Sequence, residues 1–178
     1  TFTAPMTGIL DYSFGAFEVL LTESPGEPSA AASTDERTPL SGSEGELTVA
    51  TFNVENLGSR DSAEKYEQIA RTIVRDLATP DILGLQEVQD DDGSEDTGTV
   101  SAAATLRRLI GSIERAGGPR YAFHQVDPEY NADGGQPGSN IRVAFLVNPA
   151  RVSVTPRGTP DARTTTSLQT LDGGPHLT

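Results

Sequence analysis

Two polar residues stand where chemistry would be expected in this chain. Asn53 ends the β-branched and apolar run Leu47-Thr-Val-Ala-Thr-Phe-Asn53, and Glu87 lies at the end of Asp81-Ile-Leu-Gly-Leu-Gln-Glu87-Val. In an open α/β sheet, ligands gather beyond the carboxyl ends of the strands. Residues 53 and 87 are 34 positions apart, yet they become neighbours if the two strands pair. An amide oxygen beside a carboxylate suits a hard cation such as Mg²⁺, which keeps several waters and takes one or two protein carboxylates plus a substrate phosphate. The same residues have plainer uses. Asn at a strand end is a frequent turn former, and Glu there is often only solvated. Position alone leaves both readings open.

The elements that must place these residues are legible in the pattern. Residues 47–53 read as a strand. Asp61-Ser-Ala-Glu64 reads as a capping box with Asp61 as N-cap. The stripe Tyr66, Ile69, Ala70, Ile73, Val74 and Leu77 then has helical spacing. Residues 81–88 form a near-continuous apolar run, as expected of a buried parallel strand. Strand, helix and strand make a βαβ unit. A second helix is expected over about 101–116, with Gly117 as its stop. Strands are expected at 121–126, 141–147 and 152–154, and residues 155–178 read as polar and irregular.

Upstream, residues 1–22 hold two apolar runs around a turn at 13–16, which predicts a hairpin. Such a hairpin is not stable alone, so it belongs to a larger sheet. Residues 23–46 are rich in Pro, Gly, Ser and acid and read as a linker.

Composition narrows the classes. The 178 residues carry 13 basic and 26 acidic side chains, a net of −13, and Lys65 is the only lysine. An acidic chain repels phosphate backbones, which excludes a passive nucleic-acid coat but not a nucleic-acid enzyme. Divalent metals bring positive charge to an acidic site. There is no cysteine, which removes disulfides, thiolate zinc sites and cysteine nucleophiles. No apolar run approaches the ~20 residues of a membrane span. The chain opens at Thr1 without a signal peptide, and reads as starting inside a protein.

Leu47-Thr-Val-Ala-Thr-Phe-Asn-Val-Glu-Asn-Leu57 resembles the opening motif of the endonuclease/exonuclease/phosphatase superfamily, the DNase I-like fold. Asp81-Ile-Leu-Gly-Leu-Gln-Glu-Val88 resembles its second motif, and Asn140-Ile-Arg-Val-Ala-Phe-Leu-Val147 a later strand. The likeness is closest to large secreted or surface-attached bacterial nucleases, in which a small β (OB-like) domain often precedes the catalytic domain. It covers residues 47–154 well and 1–22 loosely.

That resemblance implies the α/β class: residues 47–178 as the N-terminal half of a four-layer α/β sandwich, preceded by a hairpin remnant of the small β domain. It implies divalent-metal phosphodiester hydrolysis of nucleic acid, DNA or RNA, outside the cell or at its surface. Glu87 would bind Mg²⁺ (or Mn²⁺ or Ca²⁺) and Asn53 metal or phosphate, both counting as catalytic. Asn56 and Asn140 would contact substrate. Arg142, pointing away from the apolar set Ile141, Val143, Phe145 and Val147, reads either as a phosphate clamp or as an arginine at an exposed strand start.

The family's strand histidine, Gly-Asp-x-Asn turn and terminal Asp-His pair are not in this sequence, so the missing C-terminal half is expected to supply the base. Alone, the piece is expected to be nearly inactive and to leave one sheet face without its partner. His124 and His176 fall in no family motif. The alternatives are a phosphomonoesterase or phospholipid phosphodiesterase of the same superfamily, or a non-catalytic module that keeps the fold. Asp90-Asp-Asp-Gly-Ser-Glu-Asp96 does not fit a calcium-loop frame and reads as a solvated acidic loop. Gly134–Gly138 has no following helix, so it is not a phosphate cradle.

Overall fold

A computed structural model describes residues 5–24, 36–132 and 136–155, with the backbone of 168–171 and 174–177. It divides into two units, residues 1–36 and 37–178. In the first, β1 (Gly8–Ser13) and β2 (Ala16–Leu21) form an antiparallel hairpin. Phe14 and Gly15 both take positive φ, 49° and 84°, as a two-residue turn matched to strand twist requires. Register Leu10↔Val19 and Tyr12↔Phe17 gathers large apolar side chains on one face. The Tyr12 and Phe17 ring centroids are 4.9 Å apart. Asp11 faces Glu18 on the other side. Every one of these apolar side chains is exposed.

The second unit is built on a four-stranded sheet. β3 (Val49–Leu57) pairs in parallel with β4 (Ile82–Val88), and β4 pairs antiparallel with β6 (Arg142–Val147), which pairs antiparallel with β5 (Ala122–Gln125). The order is β3-β4-β6-β5. Helix α1 (Ala63–Arg71) connects β3 to β4 and runs on as a π-helical turn, Thr72–Asp76. Helix α2 (Ala103–Arg115) leads into β5. The expected βαβ unit is present.

Both helices lie on one face of the sheet. Tyr66, Ile69, Ala70 and Ile73 from the first, and Leu106, Leu109 and Ile113 from the second, pack against Val54, Leu83, Leu85, Ala144 and Leu146. Burying each such leucine or isoleucine stabilises by about 1.5–3 kcal/mol. The opposite face carries Val49, Thr51, Val143, Phe145 and His124, all exposed. This reverses the expected orientation of β6. Ala144 and Leu146 are the core residues, Val143 and Phe145 face out, and Arg142 lies on the buried side. Alternating apolar residues on both faces of this strand hid which face the helices take.

Three local expectations are corrected. The N-cap of α1 is Ser62, whose hydroxyl accepts from Lys65 N at 3.2 Å. Asp61 instead accepts from Gly58 N and Lys65 Nζ. Residues 152–154 form no strand, because the backbone turns back after Asn148, which accepts from Arg151 N and Val152 N. Backbone pairing joins β7 (Leu168–Leu171) and β8 (Gly174–Leu177) in the stretch expected to be irregular. The last part of the Pro/Gly-rich stretch is tied to this unit. Arg151 Nη2 donates to the carbonyls of Ser43 and Glu46, and its Nε to Asp81 Oδ1 at 3.0 Å. That guanidinium, with Thr48, holds the Asp81 carboxyl below its ordinary value.

Arg142 is buried to 2% exposure. Nη1 donates to Asp127 Oδ1 at 2.9 Å and Nη2 to the Asn140 carbonyl at 2.8 Å, while Nε has no partner. Burial pulls its guanidinium below the ordinary arginine value. Arg142 is buried while Asp127 is half exposed, so losing Asp127 leaves a buried guanidinium short of its carboxylate, whereas losing Arg142 leaves only a solvated one. Asp127→Ala is therefore expected to destabilise by about 3 kcal/mol. Arg142→Met, which keeps the bulk, is expected to stay within about 1 kcal/mol of the parent. Urea denaturation of both variants checks the order, and a Met variant weaker than the Ala variant would contradict it.

Candidate active site at the strand ends

β3 and β4 keep one register from Val49↔Ile82 to Asn53↔Gln86 and then break together, resuming at Leu57↔Val88. Three residues of β3 stand opposite one of β4 in that gap. Against β6, the two residues Gln86 and Glu87 face the single Val143. Glu87 is thus an extra residue in its strand, with φ 59°. Strict alternation would send its side chain to the core face behind Leu85. The bulge re-aims it outward and lets Val88 return to the core. Glu55 and Asn56, with φ 53° and 55°, make the matching bulge in β3.

The result brings Asn53 and Glu87 together. Asn53 Nδ2 donates to Glu87 Oε1 at 2.7 Å, and Asn53 Oδ1 accepts from Glu55 N at 2.8 Å. The amide thus turns its nitrogen, not its oxygen, to the carboxylate. Glu87 Oε2 has no protein partner among the described residues. Lys65 Nζ donates to the Glu55 carbonyl and to Asp61 Oδ2, both at 2.7 Å. Asn53, Glu55 and Lys65, with Phe52, Gln68 and Thr72, line a cleft of about 280 Å³. Lys65 did not figure among the expected site residues. Its being the chain's single lysine, at the start of the helix that follows β3, was the available signal.

The other expected residues separate. Asn56 is exposed in the bulge. Asn140 is buried, with φ 43°, and its Nδ2 donates to Asp90 Oδ2 at 2.8 Å and to the Thr99 carbonyl. Arg142 sits in the interior behind it and offers no group to the surface. His124 is exposed on the open sheet face, and the His176 side chain lies outside the described residues.

The acidic loop after Glu87 is solvated only in its second half, residues 94–98, while its first residues are tied into the fold. Asp90 is fully buried and accepts from Asp92 N, Gly93 N and Asn140 Nδ2. Asp91 Oδ1 accepts from Ala104 N and Thr105 N, capping α2. Gln89 Nε2 donates to Gln136 Oε1 and Ser139 Oγ. Burial pushes the Asp90 carboxyl up to about 6. Among the described residues, no three His, Asp or Glu side chains form a ready metal cage.

A family model described as endonuclease/exonuclease/phosphatase matches residues 50–173, which contain both bulged strands and the Asn53–Glu87 pair. The chain belongs to the endonuclease/exonuclease/phosphatase family. The family is one of phosphodiesterase- and phosphatase-type hydrolases whose members commonly use divalent metals, and the mixed α/β fold is a partial DNase I-like one. No curated protein and no solved structure matches the chain. Among the described residues, no helix is long and apolar enough to cross a membrane.

Two consequences are measurable. A non-glycine residue in the left-handed region is strained, and strain of this kind collects at functional sites. Glu87→Gly is expected to stabilise the fold by about 1 kcal/mol while removing the carboxylate. Thermal melts of the two forms test this, and a less stable Gly variant would mean that the bulge is held by the side chain. Asp90 has a folded value raised above its unfolded one, so its contribution is complete at low pH and is lost as pH rises through about 6. Between pH ~4 and ~6 the parent should lose on the order of 2–3 kcal/mol relative to Asp90→Asn. Denaturation at stepped pH reads that difference, and a flat difference would show that Asp90 is ionised without cost.

Proposed function

We propose that this protein is a divalent-metal-dependent phosphodiester hydrolase, with nucleic acid as its substrate, acting outside the cell or at its surface. The observation that carries the reading is the bulge that turns Glu87 out of the core and against Asn53. The bulge returns Val88 to the core, but the Glu87 side chain is itself partly exposed and fills no core space, so its left-handed backbone is strain at a surface position.

The donor set fits the cation the family commonly uses. Oxygen donors suit Mg²⁺, which needs only one or two carboxylates when substrate phosphates and waters complete its shell. Glu87 would hold the ion through its free oxygen. A bound divalent cation lowers the pKa of water and stabilises charge on phosphorus oxygens. Asn53 is a positioning residue: its amide fixes one carboxylate oxygen and leaves the other to face outward. The Glu55 N–H and Lys65 fix the amide and the bulge in turn. Among the described residues, one carboxylate and one amide supply neither a general base nor a second metal oxygen. The proposal therefore assigns the base to groups beyond those described. The setting outside the cell rests on the likeness of residues 47–57 and 81–88 to secreted bacterial nucleases.

The net charge of −13 favours a second reading within the family, hydrolysis of small or lipid phosphate esters. Duplex binding weakens steeply with salt, so a salt titration of activity separates the two.

Mg²⁺ titration by calorimetry, followed by a DNA-nicking assay, tests the proposal. One site is expected in the parent chain. Glu87→Gln should abolish it, and Asn53→Ala should weaken it by roughly 10–100-fold, as loss of an outer-shell partner does. Nicking by 178 residues alone should be slight. Undiminished Mg²⁺ binding in Glu87→Gln would overturn the assignment.

A further inference from the structure

Residues 99–126 carry four arginines and one glutamate, although the rest of the chain holds 25 acidic residues against nine basic. Two of those arginines are committed. Arg108 lies over the Tyr66 ring, 4.0 Å from its centroid, and donates to the Ser59 and Asp61 carbonyls. Arg115 donates to Ser112 Oγ. Arg107 and Arg120 are exposed and have no hydrogen-bond or ion-pair partner among the described residues. Both line a cleft of about 470 Å³ between α2 and β5, with Phe123, Ile110, Gly111 and Glu114. Arg107 already sits 5.8 Å over the Phe123 ring.

We propose that this cleft binds a mononucleotide, the two guanidiniums taking its phosphate and the Phe123 ring its base. Guanidiniums match phosphate oxygens in bidentate pairs. A half-buried ring beside them offers a base a stacking surface. The volume lies within the range of small-ligand sites, and Gly111 keeps the helix wall open where a side chain would stand. Glu114 leaves this lining one charge positive, in a chain that is negative nearly everywhere else.

The cleft is separate from the strand-end site. Ala122 is level with Val147 and Ile82, five residues of β4 before Glu87. That is ~16 Å along the strand, and the cleft is on the helix-covered side. The proposal therefore stands or falls independently of the hydrolase reading.

The test is titration of the whole chain with adenosine monophosphate at low salt, followed by calorimetry and by NMR of the Phe123 ring. Inorganic phosphate and adenosine serve as comparators. Adenosine monophosphate should bind most tightly and shift the Phe123 signals. Arg107→Gln and Arg120→Gln, both surface changes, should each weaken it by about tenfold, and Glu87→Gln should leave it unchanged. Inorganic phosphate binding as tightly as the nucleotide would overturn the role of the ring. No binding at millimolar nucleotide, or binding that both arginine variants retain, would overturn the site.

Discussion

The parallel pairing of β3 with β4, and the place where it stops, governs the rest of the second unit. Up to Asn53↔Gln86 the two strands share one register, and alternation divides their side chains cleanly between helices and open face. Beyond that level β3 must still deliver Val54 and Leu57 to the core and β4 Val88, all but fully buried. A shared bulge meets that demand. It absorbs residues of unequal number and leaves Asn53 and Glu87 facing each other across the break. The site is thus a by-product of how two strands finish.

That break needs support, because three non-glycine residues in left-handed conformation are costly. Support comes from both sides. Lys65 ties the Glu55 carbonyl to the first turn of α1. On the other flank, Asp90 and Asn140 knit the loop after β4 to the loop before β6, and Asp91 caps α2. Gly138, at φ 82°, lets the second loop lie against the backbone of residues 94–96, where a Cβ would meet Ser94 O at 3.0 Å. Arg142 closes the seam from below. In the first half of the acidic run Asp90 and Asp91 accept from backbone N–H groups and an amide, while Glu95 and Asp96 remain exposed.

The βαβ unit, both helices and the strand-end pair were legible in the sequence, since apolar spacing and strand-end position are local signals. Two things were not. Arg142 looked like a surface clamp because β6 is apolar on both faces, so periodicity could not say which face the helices would cover. The acidic loop looked solvated because charge density is visible in sequence while the partners, Asn140 and the start of α2, lie up to 50 residues away. The orientation of the Asn53 amide was invisible for a similar reason. It depends on the Glu55 N–H, which donates to the amide oxygen where Glu55 and Asn56 adopt positive φ.

Electrostatics then sets a condition on any phosphate chemistry. A chain of net charge −13 meets a phosphate with repulsion, and Glu87 adds to it locally. Surface charges further than about 8–10 Å away are screened at ordinary salt, so the local balance decides. In the cleft beside Asn53 the positive lining group is Lys65, and its ammonium is already shared with Asp61. A phosphate therefore meets no uncommitted positive charge in that cleft among the described residues. The cleft between α2 and β5 has the opposite character, since Arg107 and Arg120 have no acidic partner among the described residues. The two clefts on this sheet thus differ in local charge: Lys65 is shared with Asp61 in one, and two arginines without an acidic partner among the described residues line the other.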